Sequence, residues 1–110
     1  MIHLNLILPE YYLRLLLYVT GILFKHTLLY DHRILYNIGS CYLGLKEETD
    51  AARKFREALK INPEDPDIYY ALGQSYYKLN KKKKVKEILD ILYMLDRELY
   101  NRLSILINKR

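Results

Sequence analysis

The sequence predicts an all-α protein built from antiparallel helix pairs, and three observations carry that prediction. Leu, Ile, Tyr, Lys and Glu dominate its 110 residues, against only four glycines and three prolines, a composition that favours helices over sheets. Apolar residues recur at helical offsets: Leu35, Ile38, Gly39 and Tyr42 stand at i, i+3, i+4 and i+7, which puts them on one helix face. The pattern then repeats, with Gly39 and Gly73, Tyr42 and Tyr76, and Leu35 and Tyr69 each 34 residues apart.

The length fits one small domain, and an apolar share of 51% is too high for a disordered chain. The net charge of +5 is unevenly placed: residues 67–110 hold ten bases and five acids, a net of +5, so residues 1–66 balance to zero. A basic excess confined to one part suits an acidic partner surface better than it suits nucleic acid. Cys41 is the single cysteine and there is no Asn-x-Ser/Thr sequon. No intrachain disulfide can form, and a reducing, cytoplasmic setting is expected.

The chain opens on an apolar segment. Pro9-Glu10 has the form of a helix start, with proline in the first turn and an acid at the positive helix end. Between Arg14 and Lys25 runs LLLYVTGILF, shorter than the roughly 20 apolar residues a membrane span needs. Glu10 precedes it, and no small-residue cleavage site follows as a secretory signal would require. Three readings of this N-terminal helix (1–31) stand open: burial against the next helix pair, a self-association surface, or a membrane-associated or cleaved segment. Met1–Leu8 reads as an extra turn, an irregular terminus or the remnant of an upstream repeat.

The first repeat covers 32–65. Its first helix is expected over Arg33–Gly44, where Gly39, lacking a Cβ, lets the second helix come close. After a polar turn at Lys46-Glu47-Glu48, Thr49 and Asp50 are the expected N-caps of the second helix. That helix buries Ala51, Phe55, Ala58 and Leu59 and stops at Asn62-Pro63. The second repeat covers 66–96. Tyr69, Leu72, Gly73 and Tyr76 repeat the first-helix set, and Asn80 suits a left-handed turn. Lys82–Leu95 forms its second helix, with Val85, Leu89 and Leu92 facing inward. Residues 97–110 form a closing helix, capped by Asp96, with Leu99, Leu103, Leu106 and Ile107 on its apolar face and Glu98, Arg102, Lys109 and Arg110 toward water.

The set Leu35, Ile38-Gly39, Tyr42, Ala51, Phe55, Ala58 and Pro63, with its 34-residue period, resembles the tetratricopeptide repeat (TPR), a helix–turn–helix unit. The resemblance covers about residues 32–97. It implies TPR-like antiparallel helix pairs in a short right-handed superhelical array, each with an inner helix A and an outer helix B. Departures fall in the second helix B. Val85 and Leu92 stand where the family prefers small residues, Leu89 replaces its aromatic, and Arg97 replaces its proline. A wider helix spacing is expected there. Cys41 occupies a position the family usually fills with a small residue, so buried packing is expected of it.

No catalytic constellation can be assembled. The glycines are too scattered for a phosphate loop. His3, His26 and His32 lack ligand spacing with Cys41 or carboxylates, and His26 with Asp31-His32 reads as a polar junction between helices. No enzyme activity, cofactor or metal is expected.

The resemblance implies a protein-interaction scaffold that binds a protein or peptide in the concave groove of its A helices. The groove positions fall on Arg33, Tyr36, Asn37, Ser40 and Leu43 of the first repeat, and on Asp67, Tyr70, Ala71, Gln74, Tyr77 and Lys78 of the second. Tyrosine offers contact area at low entropic cost, and Asn37 can hold an extended peptide backbone. The two-carboxylate clamp of chaperone-binding TPR proteins is not expected, because its Lys and Asn positions hold Tyr36, Ser40 and Ala71. A self-assembling module, pairing through the terminal helices, is the alternative, since two repeats are few for a free-standing array. The basic patch Lys81, Lys82, Lys83, Lys84 and Lys86 reads either as a solvated turn or as a contact for an acidic partner. Binding of nucleic acid or a membrane surface there is the least favoured reading.

Overall fold

The computed structural model describes residues 10–22 and 31–109. Met1–Leu8, Pro9, His3 and His26 lie outside these residues. Among the described residues there are six helices and no strand. The chain divides into two units, Met1–Tyr30 and Asp31–Arg110, and each is described by itself.

In the first unit residues 10–22 are helical (α1), with an exposed Glu10–Arg14 ion pair at 3.1 Å across one turn. Every residue of this stretch is exposed. Leu17 is 73% exposed and Tyr18 69%. Among the described residues no helix is long and apolar enough to cross a membrane.

The second unit contains α2 (His32–Gly44), α3 (Glu48–Ile61), α4 (Pro66–Lys78), α5 (Lys82–Leu95) and α6 (Arg97–Asn108). The A and B helices of the two repeats are thus α2 with α3 and α4 with α5. Helix α3 packs against both α2 and α4, and α6 closes the stack against α4 and α5. One continuous core runs from Leu35 through Phe55, Leu72 and Leu92 to Leu103.

The close approach of α2 and α3 is set at Gly39. A Cβ placed there would stand 2.6 Å from the Phe55 ring, so the ring occupies the space a side chain would take. Phe55 is fully buried with Ala51 and Ala58 on either side, and its burial alone contributes about 2–3 kcal/mol. The second repeat closes its notch differently. A Cβ on Gly73 would meet Leu103 of α6 at 2.6 Å and Ile88 at 3.0 Å. Leu89, expected inward in place of the aromatic, is only half-buried; Ile88, one residue earlier and about 100° round the helix, takes the inner position. The missing ring is replaced by two aliphatic side chains, one of them borrowed from the closing helix.

Both helix A to helix B turns share one hydrogen-bond scheme. Lys46 and Asn80 take left-handed backbone angles, φ 63° and 60°. Glu47 N donates to Tyr42 O and Lys46 N to Leu43 O, and Lys81 N and Asn80 N repeat this toward Tyr76 O and Tyr77 O. This double bond pattern is a Schellman motif, which satisfies the last carbonyls of a helix. The motif runs almost directly into the next helix. Helix α3 consequently begins at Glu48, with Glu47 at its N-cap and no side-chain cap bond, and the caps expected at Thr49 and Asp50 lie inside its first turn. Asp65 and Asp96 do cap α4 and α6, accepting from the backbone N–H of Asp67 and Leu99 at 3.0 and 3.1 Å.

Three other packing expectations change. Ile38 is only half-buried and Cys41 is exposed. Cys41 sits two residues, about 200°, from the buried Gly39 and so points away from α3. Pro63 is exposed and does no packing; its carbonyl instead accepts from the Tyr69 hydroxyl at 2.7 Å. Arg97, in place of proline, ties down the end of α5: its Nε donates to Tyr93 O at 2.9 Å and its guanidinium lies 3.6 Å from the Tyr93 ring centre.

Three stability outcomes are expected in denaturant titrations. Gly39→Ala forces the buried Phe55 ring to move and lowers stability by about 1–3 kcal/mol. Gly44→Ala, with nothing within 4 Å of the new methyl, is neutral or stabilising by up to about 1 kcal/mol and serves as its control. Lys46→Gly removes the left-handed strain and stabilises by about 1 kcal/mol.

Candidate functional site

The residues expected to form the groove lie on α2 and α4, which contact each other directly. Asp31 starts α2 by accepting the backbone N–H of Arg33 at 2.9 Å, while the Arg33 side chain reaches the same carboxylate at 3.4 Å. His32 meets the side-chain amide of Asn62 at 3.3 Å, which ties the start of α2 to the end of α3. The expected polar junction is present in this part. Around it lies a cleft of about 350 Å³ lined by His32, Arg33, Tyr36, Asn37, Asp65 and Asp67. Four of the expected groove residues therefore share one cavity: Arg33, Tyr36 and Asn37 from α2, and Asp67 from α4.

The tyrosines are held rather than loose. Tyr36 rests on Phe55 with ring centres 5.8 Å apart, so the notch that sets the helix spacing also supports a groove residue. The Arg102 guanidinium lies 5.3 Å from the Tyr70 ring centre, within range for a cation–π contact. Arg102 is exposed, as its place on α6 predicts; its contact with Tyr70 goes beyond that pattern. A signal existed. Superposing Leu99 and Leu103 on Ile68 and Leu72, three residues short of the 34-residue period, brings Arg102 onto the position of Ala71.

Several assignments change. Ala71 is buried at 4% exposure and is a core residue: α4 is flanked by α2, α3, α5 and α6, and a lone methyl does not reach past them. Leu43 is half-buried and packs on the core. The Ser40 hydroxyl donates back to Tyr36 O at 3.0 Å, which leaves only its acceptor capacity open. Asn37 and Lys78 are exposed and Gln74 is half-buried.

Tyr77 lines a different cavity. About 270 Å³ in volume, this pocket has apolar walls of Tyr77, Val85, Leu89 and Ile107 and a rim of Asn80, Lys81, Lys82 and Lys86. The five lysines of the basic patch are all exposed. Three of them, Lys81, Lys82 and Lys86, also edge the apolar hollow. Helix α5 begins with no side-chain cap and no acid in its first turn, so its lysines oppose the helix dipole. Among the described residues, no group of three His, Cys, Asp or Glu side chains could hold a metal ion.

Comparison with known families agrees with this geometry. A TPR repeat family model matches residues 42–80 and a tetratricopeptide repeat model matches residues 66–98. Together they span slightly more than half of the chain, and the chain belongs to the tetratricopeptide-repeat family. The second repeat, with all its departures, is matched from its first residue to its last. No curated protein and no solved structure gave a match.

The start of the groove has a pH signature. The Arg33 side chain, and then its backbone N–H, hold the Asp31 carboxyl below the ordinary aspartate value of 3.8. A lowered value means the cap stabilises the fold at neutral pH and is lost as pH falls through the lowered value. NMR titration is expected to place the Asp31 midpoint below 3.8, and Arg33→Ala to move it upward.

Proposed function

We propose that this chain is a non-enzymatic interaction module that binds an extended peptide, or an exposed segment of a partner protein, along α2 and α4. TPR repeats generally mediate protein–protein interaction, and proteins of the family are generally non-catalytic scaffolds. The observation that carries the reading is the cleft shared by Arg33, Tyr36, Asn37 and Asp67. It combines a supported aromatic ring, an exposed amide and charges of both signs. A backbone amide of the peptide would pair with Asn37, side chains would lie on Tyr36 and Tyr70, and Arg33 and Asp67 would select for charge.

The reading is tested by comparing captured partners for the wild type and Tyr36→Ala/Tyr70→Ala, with Asn37→Asp as a second variant that leaves the core untouched. Capture of the same partners is expected to fall about tenfold or more. Unchanged capture by folded variants of both kinds, with folding checked by thermal melts, removes the groove assignment.

A further inference from the structure

The two Schellman turns are equivalent in backbone and opposite in charge. Lys46 and Asn80 hold the same left-handed place 34 residues apart. After them come Glu47, Glu48 and Asp50 in one repeat, and Lys81, Lys82 and Lys84 in the other. One edge of the array thus carries an acidic turn beside a basic one. Asp50 is paired with Arg53 at 3.1 Å. Among the described residues Glu47, Glu48 and the lysines of α5 make no ion pair, even with one another.

Each turn also has an apolar feature beside its charges. Leu45, two residues before Glu47, is 68% exposed. The lysines rim the pocket between Tyr77, Val85, Leu89 and Ile107. That pocket is smaller than the roughly 300–1,000 Å³ of a small-molecule site and suits a single apolar side chain. Lysines at a helix start do not help α5 itself, so local stability does not account for them.

We propose that this edge pairs with the same edge of a second copy of the chain. Leu45 of each copy enters the lysine-rimmed pocket of the other, and Glu47 and Glu48 meet Lys81, Lys82 and Lys86 across the contact. Since every copy carries both the knob and the pocket, a two-fold arrangement satisfies both at once and closes as a dimer rather than growing into a filament. This surface is separate from the Tyr36–Tyr70 stripe, so the dimer and the groove stand or fall independently.

The test is sedimentation equilibrium of the full chain over a range of concentrations. The wild type is expected to form a dimer that weakens when salt is raised from about 50 to about 500 mM. Lys81→Glu/Lys82→Glu and Glu47→Lys/Glu48→Lys should each weaken it about tenfold or more, because every reversal acts in both symmetric contacts. Leu45→Ser should weaken it as well. An equimolar mixture of the two charge-reversed variants should restore the dimer, since each then offers what the other lacks. These are surface changes, and circular dichroism verifies that the variants stay folded. A wild type that remains monomeric up to about 1 mM overturns the proposal. So does a dimer indifferent to the reversals, or a mixture that fails to re-associate.

Discussion

The structure depends on one close approach, the Phe55 ring lying against the bare backbone of Gly39. Close packing in a protein interior leaves no room to place a side chain where another already sits. Gly39 and Phe55 are therefore a single choice made at two positions, with Ala51 and Ala58 keeping the helices near enough for the ring to fit. The same contact reaches the candidate groove. The Tyr36 ring, three residues before Gly39 on α2, also lies against Phe55, so the ring that spaces α2 from α3 also supports this tyrosine.

The second repeat solves the same spatial problem without an aromatic. Ile88 and Leu103 meet over Gly73, which makes the closing helix α6 part of the repeat rather than a lid on its end. Val85 and Leu92, larger than the alanines they replace, are buried at 5% and 0% exposure and complete this aliphatic packing. Arg97 follows the same logic. The end of α5 carries the Arg97 guanidinium on Tyr93, and only Asp96 separates α5 from α6.

The packing also decides which side chains stay accessible. The inner face keeps Asn37 exposed and Tyr36 and Tyr70 partly so, each ring supported from below or beside. Apart from the left-handed position at Lys46 and Asn80, the turns are built from backbone bonds, which leaves the charges that follow free to differ between repeats. Substitutions at Glu47, Glu48 and the lysines of α5 therefore come at little cost to the fold.

The sequence by itself determined the helices, the period and the two notches. These rest on local offsets and on glycine's missing Cβ, both legible in one dimension. It also placed the left-handed turn at Asn80 and the cap at Asp96, where residue chemistry dictates backbone shape. Only the tertiary structure decided which neighbour covers each position. Ala71 is buried because four helices surround α4, and Arg102, though exposed, reaches the Tyr70 ring from another helix. Ile88 took the place of Leu89 because the notch it fills is shared with another helix, and Cys41 faces outward because α3 covers only the Gly39 side of α2. The pocket beside the lysines was invisible for the same reason. Its walls come from three helices, and a side chain's neighbours across helices are set by packing, not by its own segment's pattern.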